Sequence, residues 1–198
     1  MKTFHDRCVR ELCLKLCSIF GYSVNILIRE AYKRSGLEKG KVAGILRFLK
    51  GTCVRVEEYG EPKEYDKQDA VRFVLEFFNA TEDILGKEGT KVLVQVLGSH
   101  LKKAFGEELE KGLIFIFGEL AEIEIERSDV TKVIIRPKVS LEKIPKALGV
   151  PYPALLILAA DYGKFKLIEV RREGDKIIVV GGPAGIRTPD HRIMSPAL

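Results

Sequence analysis

Residues 28–47, IREAYKRSGLEKGKVAGILR, have the spacing of a helix-turn-helix, and this stretch decides the predicted fold of the N-terminal part of the chain. Gly36 stands at the turn, where a positive φ is needed. The positions that must be small or apolar for two crossing helices to pack hold suitable residues: Ala31, Tyr32, Leu37, Val42 and Ile45. The outward positions of the second helix are short or charged, as a helix entering a DNA groove requires: Glu38, Lys39, Gly40, Lys41, Gly44 and Arg47. An ordinary helical hairpin is the alternative.

Positive charge is concentrated in the same region. Residues 1–51 contain eleven lysines and arginines against four acidic residues, an excess of +7, whereas the whole chain is +5 and the remainder therefore −2. A basic module joined to a slightly acidic one is typical of a DNA-binding domain fused to a domain that does not contact DNA. We expect groove contacts from Lys39, Lys41 and Arg47, and phosphate contacts from Lys33, Arg34 and Lys50. A solvated basic surface is the alternative.

The elements around the motif extend it to a larger module. Apolar periodicity and turn residues predict this order: a helix over 4–20, helices over 23–34 and 38–50, and a β-hairpin over TCVRVEEYGEPKEY, 52–65. Over residues 1–66 this order resembles the winged-helix transcriptional regulators of bacteria and archaea. The resemblance implies binding to double-stranded DNA as a homodimer, because two half-sites supply the needed affinity.

The predicted hairpin departs from that family in its charge. Four glutamates stand against two cations: Glu57, Glu58, Glu61 and Glu64 against Arg55 and Lys63. Phosphate would repel such a hairpin, so contact with DNA would have to come from the helices, or the hairpin would pack against protein.

The rest of the chain predicts a second domain over 67–180 and gives the whole protein the α+β class, with helices first and then an antiparallel sheet. The predicted elements are a helix capped by Asp66 and broken at Gly86, a helix over 88–105, a buried strand at LIFIF (113–117), strands in ELAEIEIE and VTKVIIRPKV, a short helix at SLEKIPKALG, and a hairpin joining KFKLIEV to KIIVV. ALLILAA fits either a helix or a strand. The helix pair would form a dimer interface or the helical layer of this domain.

Two segments are similar to the four-vinyl-reductase type of ligand-binding domain, which follows a DNA-binding module in some archaeal regulators: EDILGKEGTKVLVQVLGSHLKKAFG (82–106) and KFKLIEVRREGDKIIVV (164–180). The resemblance implies a sensing or dimerisation role. An apolar small-molecule effector would bind between the helix pair of 67–105 and the sheet. That family carries cysteines in its terminal hairpin, and none follows Cys53 here, so thiol or metal chemistry is not implied.

The last residues, GGPAGIRTPDHRIMSPAL (181–198), lack an apolar period, and we predict a disordered or extended tail. GIRT can be encoded by GGGATTCGAACC, the complement of the transfer-RNA T-arm sequence, and IMS by the complement of a methionine-type anticodon loop. We interpret the tail as overlap with an antisense transfer-RNA gene and expect the folded protein to end near Val180.

Little in the sequence points to catalysis. The four cysteines argue against a disulfide framework in a chain without a signal peptide, and Cys8, Cys13 and Cys17 on the first helix are interpreted as buried thiols; Cys13 and Cys17 could alternatively chelate a metal. Phosphate-binding glycine motifs and a nucleophile–base pair are missing. We therefore predict no enzyme, no cofactor and no metal.

The charged N-terminus and the lack of a run of roughly 20 apolar residues predict a cytoplasmic protein without a membrane span. Scarce Asn and Gln beside abundant Lys and Glu are typical of a heat-adapted source. The prediction is a DNA-binding transcriptional regulator with a C-terminal sensing or dimerisation domain. The alternatives are a small-molecule-binding protein with structural N-terminal helices, and a protein-interaction module.

Overall fold

Helices build the first part of the chain. The computed structural model describes residues 3–186 and divides the chain into two compact units, the first ending at Gly86 and the second beginning at Lys87. The helices of the first unit are α1 (Phe4–Phe20), α2 (Val24–Ser35), α3 (Lys39–Leu46) and the first part of α4 (Lys67–Phe105), with 3₁₀ turns at Gly21–Ser23, Arg47–Leu49 and Val56–Tyr59. Gly86 interrupts α4 with φ 74° and ψ 175°. The first unit ends at this residue, which is later than the predicted domain boundary after residue 66.

The start of α1 and its buried face follow from its sequence. The hydroxyl of Thr3 accepts a hydrogen bond from the backbone N–H of Asp6 and caps α1. An apolar stripe along α1, which includes Val9, Leu12 and Leu16, is buried in the core of the unit.

The predicted hairpin at 52–65 is wrong. These residues, all of them described, contain no strand: a 3₁₀ turn over Val56–Tyr59 is followed by an irregular segment. The apolar residues that produced the alternating pattern, Val54, Val56 and Tyr59, are buried, so the pattern reports contacts with the interior of the unit. The described part of the first unit offers no other strand with which a hairpin could extend a sheet.

The argument against a disulfide is also wrong. Cys17, near the end of α1, is bonded to Cys53 in the loop that precedes the 3₁₀ turn. Cys8 and Cys13 are buried free thiols, as predicted.

Helical structure extends with one short 3₁₀ interruption from Phe4 to Ser35, and this stretch is the one segment of residues 3–186 long and apolar enough to cross a membrane by length and composition. The sequence argument, which counted only unbroken apolar runs, did not expect it. Leu16, Leu27 and Ile28 of this stretch lie in the core of the first unit, and core helices meet the same criteria. The cytoplasmic location stays a prediction.

The second unit is an antiparallel sheet packed with helices, and with it the α+β class is confirmed. Its elements are the second part of α4, α5 (Glu108–Phe117), β1 (Ala121–Arg127), β2 (Thr131–Pro137), the short ribbon β3 (Lys146–Ala147) and β4 (Val150–Pro151), α6 (Tyr152–Tyr162), β5 (Phe165–Glu173) and β6 (Lys176–Pro183). The strand order is β1-β2-β6-β5. The hairpins β1–β2 and β5–β6 are those predicted, and ALLILAA is helical.

Two elements of this unit differ from prediction. LIFIF is the end of α5 because its buried residues recur at helical spacing, as Leu109, Leu113 and Ile116; a short, fully apolar run does not distinguish helix from strand. SLEKIPKALG forms only a 3₁₀ turn at Leu141–Lys143 before it enters β3.

The fold continues past the predicted end at Val180. Gly181 pairs with Thr131 of β2 and with Leu167 of β5, and a Cβ added to Gly181 would lie 2.7 Å from the methyl carbons of Leu158. Gly181–Pro183 therefore belong to the sheet, so these three residues are extended and not disordered, and the predicted end of the folded part is too early. Residues 187–198 lie outside the described residues, so the tail prediction there stays a prediction.

Candidate nucleic-acid interface

α2 and α3 meet at a turn with the backbone conformation predicted for it. Gly36 adopts the left-handed conformation, with φ 67° and ψ 11°, and the backbone N–H of Leu37 donates to the hydroxyl of Ser35 across the corner. The residues predicted to fill the interface are buried, namely Ala31, Leu37, Val42 and Ile45, and Tyr32 is half-buried. The ring of Tyr32 meets that of Tyr59 edge-on, with centroids 5.5 Å apart.

The outward face of α3 is covered, which the sequence did not predict. Gly40 and Gly44 are buried beneath residues 60–66, which we call the strap. The backbone N–H of Lys63 donates to the carbonyl of Gly40 at 2.9 Å. A Cβ added to Gly44 would overlap the carbonyl oxygen of Lys63 and lie 3.0 Å from the ring of Tyr65. The absence of a side chain at these two positions is therefore what lets the strap approach the helix.

Lys41, predicted to face a groove, forms an ion pair instead. Its ammonium lies 3.1 Å from a carboxylate oxygen of Asp69, in the first turn of α4, and this hydrogen bond raises the pKa of Lys41. Burial alone would raise the pKa of Asp69, but the backbone N–H of Asp66 and the ammonium of Lys41 lower it below its ordinary value. The strap adds a second pair, with the ammonium of Lys63 3.3 Å from the carboxylate of Glu38.

Arg47 is held by the end of the strap. Its guanidinium donates to the carbonyl of Gly44 and to the hydroxyl of Tyr65, both at 2.7 Å, and it lies 4.2 Å from the centroid of the Phe48 ring. The hydroxyl of Tyr65 in turn donates to the carboxylate of Asp6 at 2.7 Å. This chain of contacts joins α1, the strap and the end of α3.

Arg34 joins α2 to α4. Its guanidinium lies 2.8 Å from a carboxylate oxygen of Asp83 and 3.3 Å from Glu30, and it donates to the carbonyl of Asn79. The hydrogen bond to Asp83 is the main cause that raises the pKa of Arg34. A phosphate contact by this residue would have to compete with two carboxylates.

The other three predicted cations are open to solvent. Lys33, Lys39 and Lys50 are exposed and have no ion-pair partner among residues 3–186. Each of these three lysines could approach phosphate without first losing a carboxylate.

Sequence reasoning missed the acidic partners of the basic region. Residues 52–86 contain nine acidic residues against four basic ones, and several pair with residues 1–51: Glu58 with Arg29, Asp69 with Lys41, and Asp83 with Arg34. A charge count stopped at residue 51 could not detect this, whereas the local excess over 52–86 was present in the sequence.

The second unit carries a polar cavity of about 320 Å³. Its lining includes five charged residues beside small and apolar ones: Lys102, Glu107, Glu110, Arg127 and Asp161. The guanidinium of Arg127 is bound bidentately by Asp161, at 3.0 and 3.2 Å, and lies 2.7 Å from Glu110. Its chemistry does not suit the predicted apolar effector.

An apolar cavity lies inside the first unit, lined by residues of α1 and α4, but its volume is only about 10 Å³. That is too small for an organic effector. Within residues 3–186, no group of three or more His, Cys, Asp or Glu side chains could hold a metal ion.

The two kinds of cysteine differ in accessibility. Cys17 and Cys53, which form the disulfide, are half-buried. Cys8 and Cys13 are fully buried, and burial raises the pKa of each thiol to about 12. These two thiols are therefore unreactive at neutral pH, where only the thiolate attacks.

The chain matches no protein-family model, no curated protein and no solved structure. The resemblances to winged-helix regulators and to four-vinyl-reductase domains therefore stay predictions, and the functional argument depends on the geometry of the two units.

Proposed function

We propose that the protein is a transcriptional regulator that binds double-stranded DNA through α2 and α3 of its first unit. The observation that carries the proposal is the helix-turn-helix corner: a left-handed Gly36, a buried Leu37, and small and apolar positions on both helices that are buried. Such a corner presents one helix to the major groove while the other crosses the backbone. The proposal includes a homodimer, because two half-sites supply the affinity that one short helix lacks.

The exposed lysines support phosphate contact. Lys33, Lys39 and Lys50 are unpaired within the described residues, and an ammonium that already carries no partner gains the full effect of counterion release when it meets phosphate. Contacts with bases have less support, because Lys41 is paired with Asp69, Arg47 is bonded to Tyr65, and the strap covers the face between them. The conformation described here therefore suits sequence-independent contact better than groove reading.

The proposal is tested by salt-dependent binding of the full chain to a fluorescent random-sequence duplex, followed by anisotropy. Replacement of Lys33, Lys39 and Lys50 by alanine should make the negative slope of log K against log salt shallower by about 3, since each lost phosphate contact removes about 0.9 from its magnitude. Lys91, Lys103 and Lys111, exposed lysines on helices of the second unit, give a triple alanine variant with the same change in net charge. That control should bind as the wild type does.

Equal losses in both triple variants would contradict a specific interface in the first unit. If no form of the chain binds duplex DNA, the proposal fails. The function to examine would then be binding of a small polar ligand in the second unit, in the cavity beside Arg127 and Asp161.

A further inference from the structure

The backbone of the strap lies very close to α3. α3 contains two glycines one turn apart, Gly40 and Gly44, although glycine weakens a helix relative to almost any other residue. Both are buried by the strap, and the Lys63 carbonyl occupies the space of a side chain at Gly44. The glycine pair is therefore explained by contact with the strap.

Two of the three cations predicted for the groove face, Lys41 and Arg47, are engaged at the strap or close to it. Lys41 is paired with Asp69 directly after the strap, and Arg47 is bound by Tyr65 within it. The strap itself carries three acidic residues, Glu61, Glu64 and Asp66, against Lys63. A segment that is acidic and lies over a basic helix occupies the position that a DNA phosphate would need.

The disulfide fixes the loop from which the strap emerges. It ties Cys53 to Cys17 of α1, and Asn25 of α2 holds the same loop from the other side. The side-chain amide of Asn25 donates to the carbonyl of Cys53 at 2.9 Å and accepts from the backbone N–H of Arg55 at 2.9 Å. The loop is thus anchored by one covalent bond, which a reductant can cleave, and by two hydrogen bonds of Asn25.

We propose that the strap is an autoinhibitory cover of α3 and that the Cys17–Cys53 disulfide stabilises the covered state, so that reduction favours exposure of the groove-reading face. The inference rests on the proposed DNA binding. A dithiol supplies the two electrons and two protons: one thiolate attacks a sulfur of the disulfide, a mixed disulfide forms, and the second thiol releases it. Cys17 and Cys53 end as thiols, and the dithiol ends as its own disulfide.

The cover can be measured without DNA. The backbone N–H of Lys63 bonds to Gly40, so its hydrogen exchange reports whether the strap is seated. Exchange at Lys63 and affinity for the random-sequence duplex are compared in the oxidised full chain, the chain reduced with dithiothreitol, the Cys17→Ser/Cys53→Ser variant and Gly44→Ala. Each change should speed exchange at Lys63 and strengthen DNA binding by about tenfold, the usual size of a coupling between two sites.

The serine double variant is also the control for the buried thiols. Dithiothreitol should leave it unchanged, and a remaining response would assign the effect to Cys8 or Cys13 and overturn the proposal. If Gly44→Ala fails to fold, reduction and the serine variant carry the test alone. Unaltered exchange at Lys63 in the reduced chain and in the serine variant would overturn the covering role of the disulfide, whatever the DNA result.

Two further outcomes separate this inference from the proposed function. Faster exchange at Lys63 with unchanged, measurable DNA affinity would overturn autoinhibition and leave DNA binding intact. Faster exchange with no salt-dependent DNA binding in any form would overturn the proposed function, and autoinhibition with it.

Discussion

The two units place their charges differently. In the first unit, ion pairs join residues far apart in the sequence, such as Arg29 with Glu58 and Arg34 with Asp83, and they connect α2 to elements that follow α3. On the open face of the sheet in the second unit, pairs join neighbours, such as Arg136 with Glu124 on the paired strands β2 and β1. Arg127 with Asp161 is a long-range pair in the second unit.

The ion pairs of the two units also differ in how much the structure around them depends on them. The sheet is fixed by backbone hydrogen bonds and by buried residues such as Val133, Ile135 and Val179, so its surface pairs add little. The irregular segment 50–66 lacks such a ladder, and its attachment depends more on side-chain pairs, on the disulfide and on a few backbone bonds. Salt and pH should therefore act on the strap before they act on the sheet.

The largest effect is expected at Asp161, the least exposed carboxylate among the pairs of the second unit. It accepts from Arg127 and, at 2.7 Å, from the hydroxyl of the buried Thr131. Asp161→Ala should lower the free energy of unfolding by about 2 kcal/mol in urea titrations, because a charge-assisted hydrogen bond is lost and a buried hydroxyl loses a partner. Glu124→Ala on the open face is the control and should cost less than about 0.5 kcal/mol. Equal losses would remove the distinction between the two kinds of pair.

A smaller effect is expected for Arg34 and Asp83 of the first unit. A double-mutant cycle with alanine at both positions should give a coupling of about 0.5 kcal/mol in urea unfolding, because both side chains are partly exposed and solvent screens them. The coupling should decrease as sodium chloride is raised toward about 1 M. A coupling that does not respond to salt would mean that Arg34 stabilises the unit by packing and by its bond to Asn79.

Local patterns predicted much of this fold. Alternation around Gly174 and Asp175 identified β5–β6, and the spacing around Gly36 identified the corner of α2 and α3, because in each case the deciding contacts lie close in the sequence. The same kind of alternation failed at 52–65, where the apolar residues face helices. Periodicity records burial on one side and does not specify the neighbouring element.

The cover over α3 could not be predicted in this way, since it joins Gly40 and Gly44 to Lys63 and Tyr65 across the intervening loop. One signal was available: two glycines one turn apart in a short helix indicate close approach by another backbone. They were interpreted instead as short residues suited to a groove. The pairing of Cys17 with Cys53 likewise depends on the tertiary fold, and the charged N-terminus was a poor guide to it.

The smallest effect concerns pH and the attachment of the strap to α4. The folded-state pKa of Asp69 lies below the ordinary value of an aspartate, so its ionised form stabilises the folded chain above that ordinary value. The contribution should be lost as pH falls below about 4 and through the folded pKa, because Lys41 and the backbone N–H of Asp66 then face a neutral carboxyl. Urea unfolding followed by circular dichroism between about pH 3 and pH 7 gives the wild-type profile, and Asp69→Asn removes this titration while it keeps the shape of the side chain. The difference between the two profiles isolates Asp69 from the other acidic residues. The difference in unfolding free energy between the wild type and Asp69→Asn should shrink toward low pH. A difference that stays constant with pH would mean that the Asp69→Asn replacement destabilises the chain for reasons other than the lost charge.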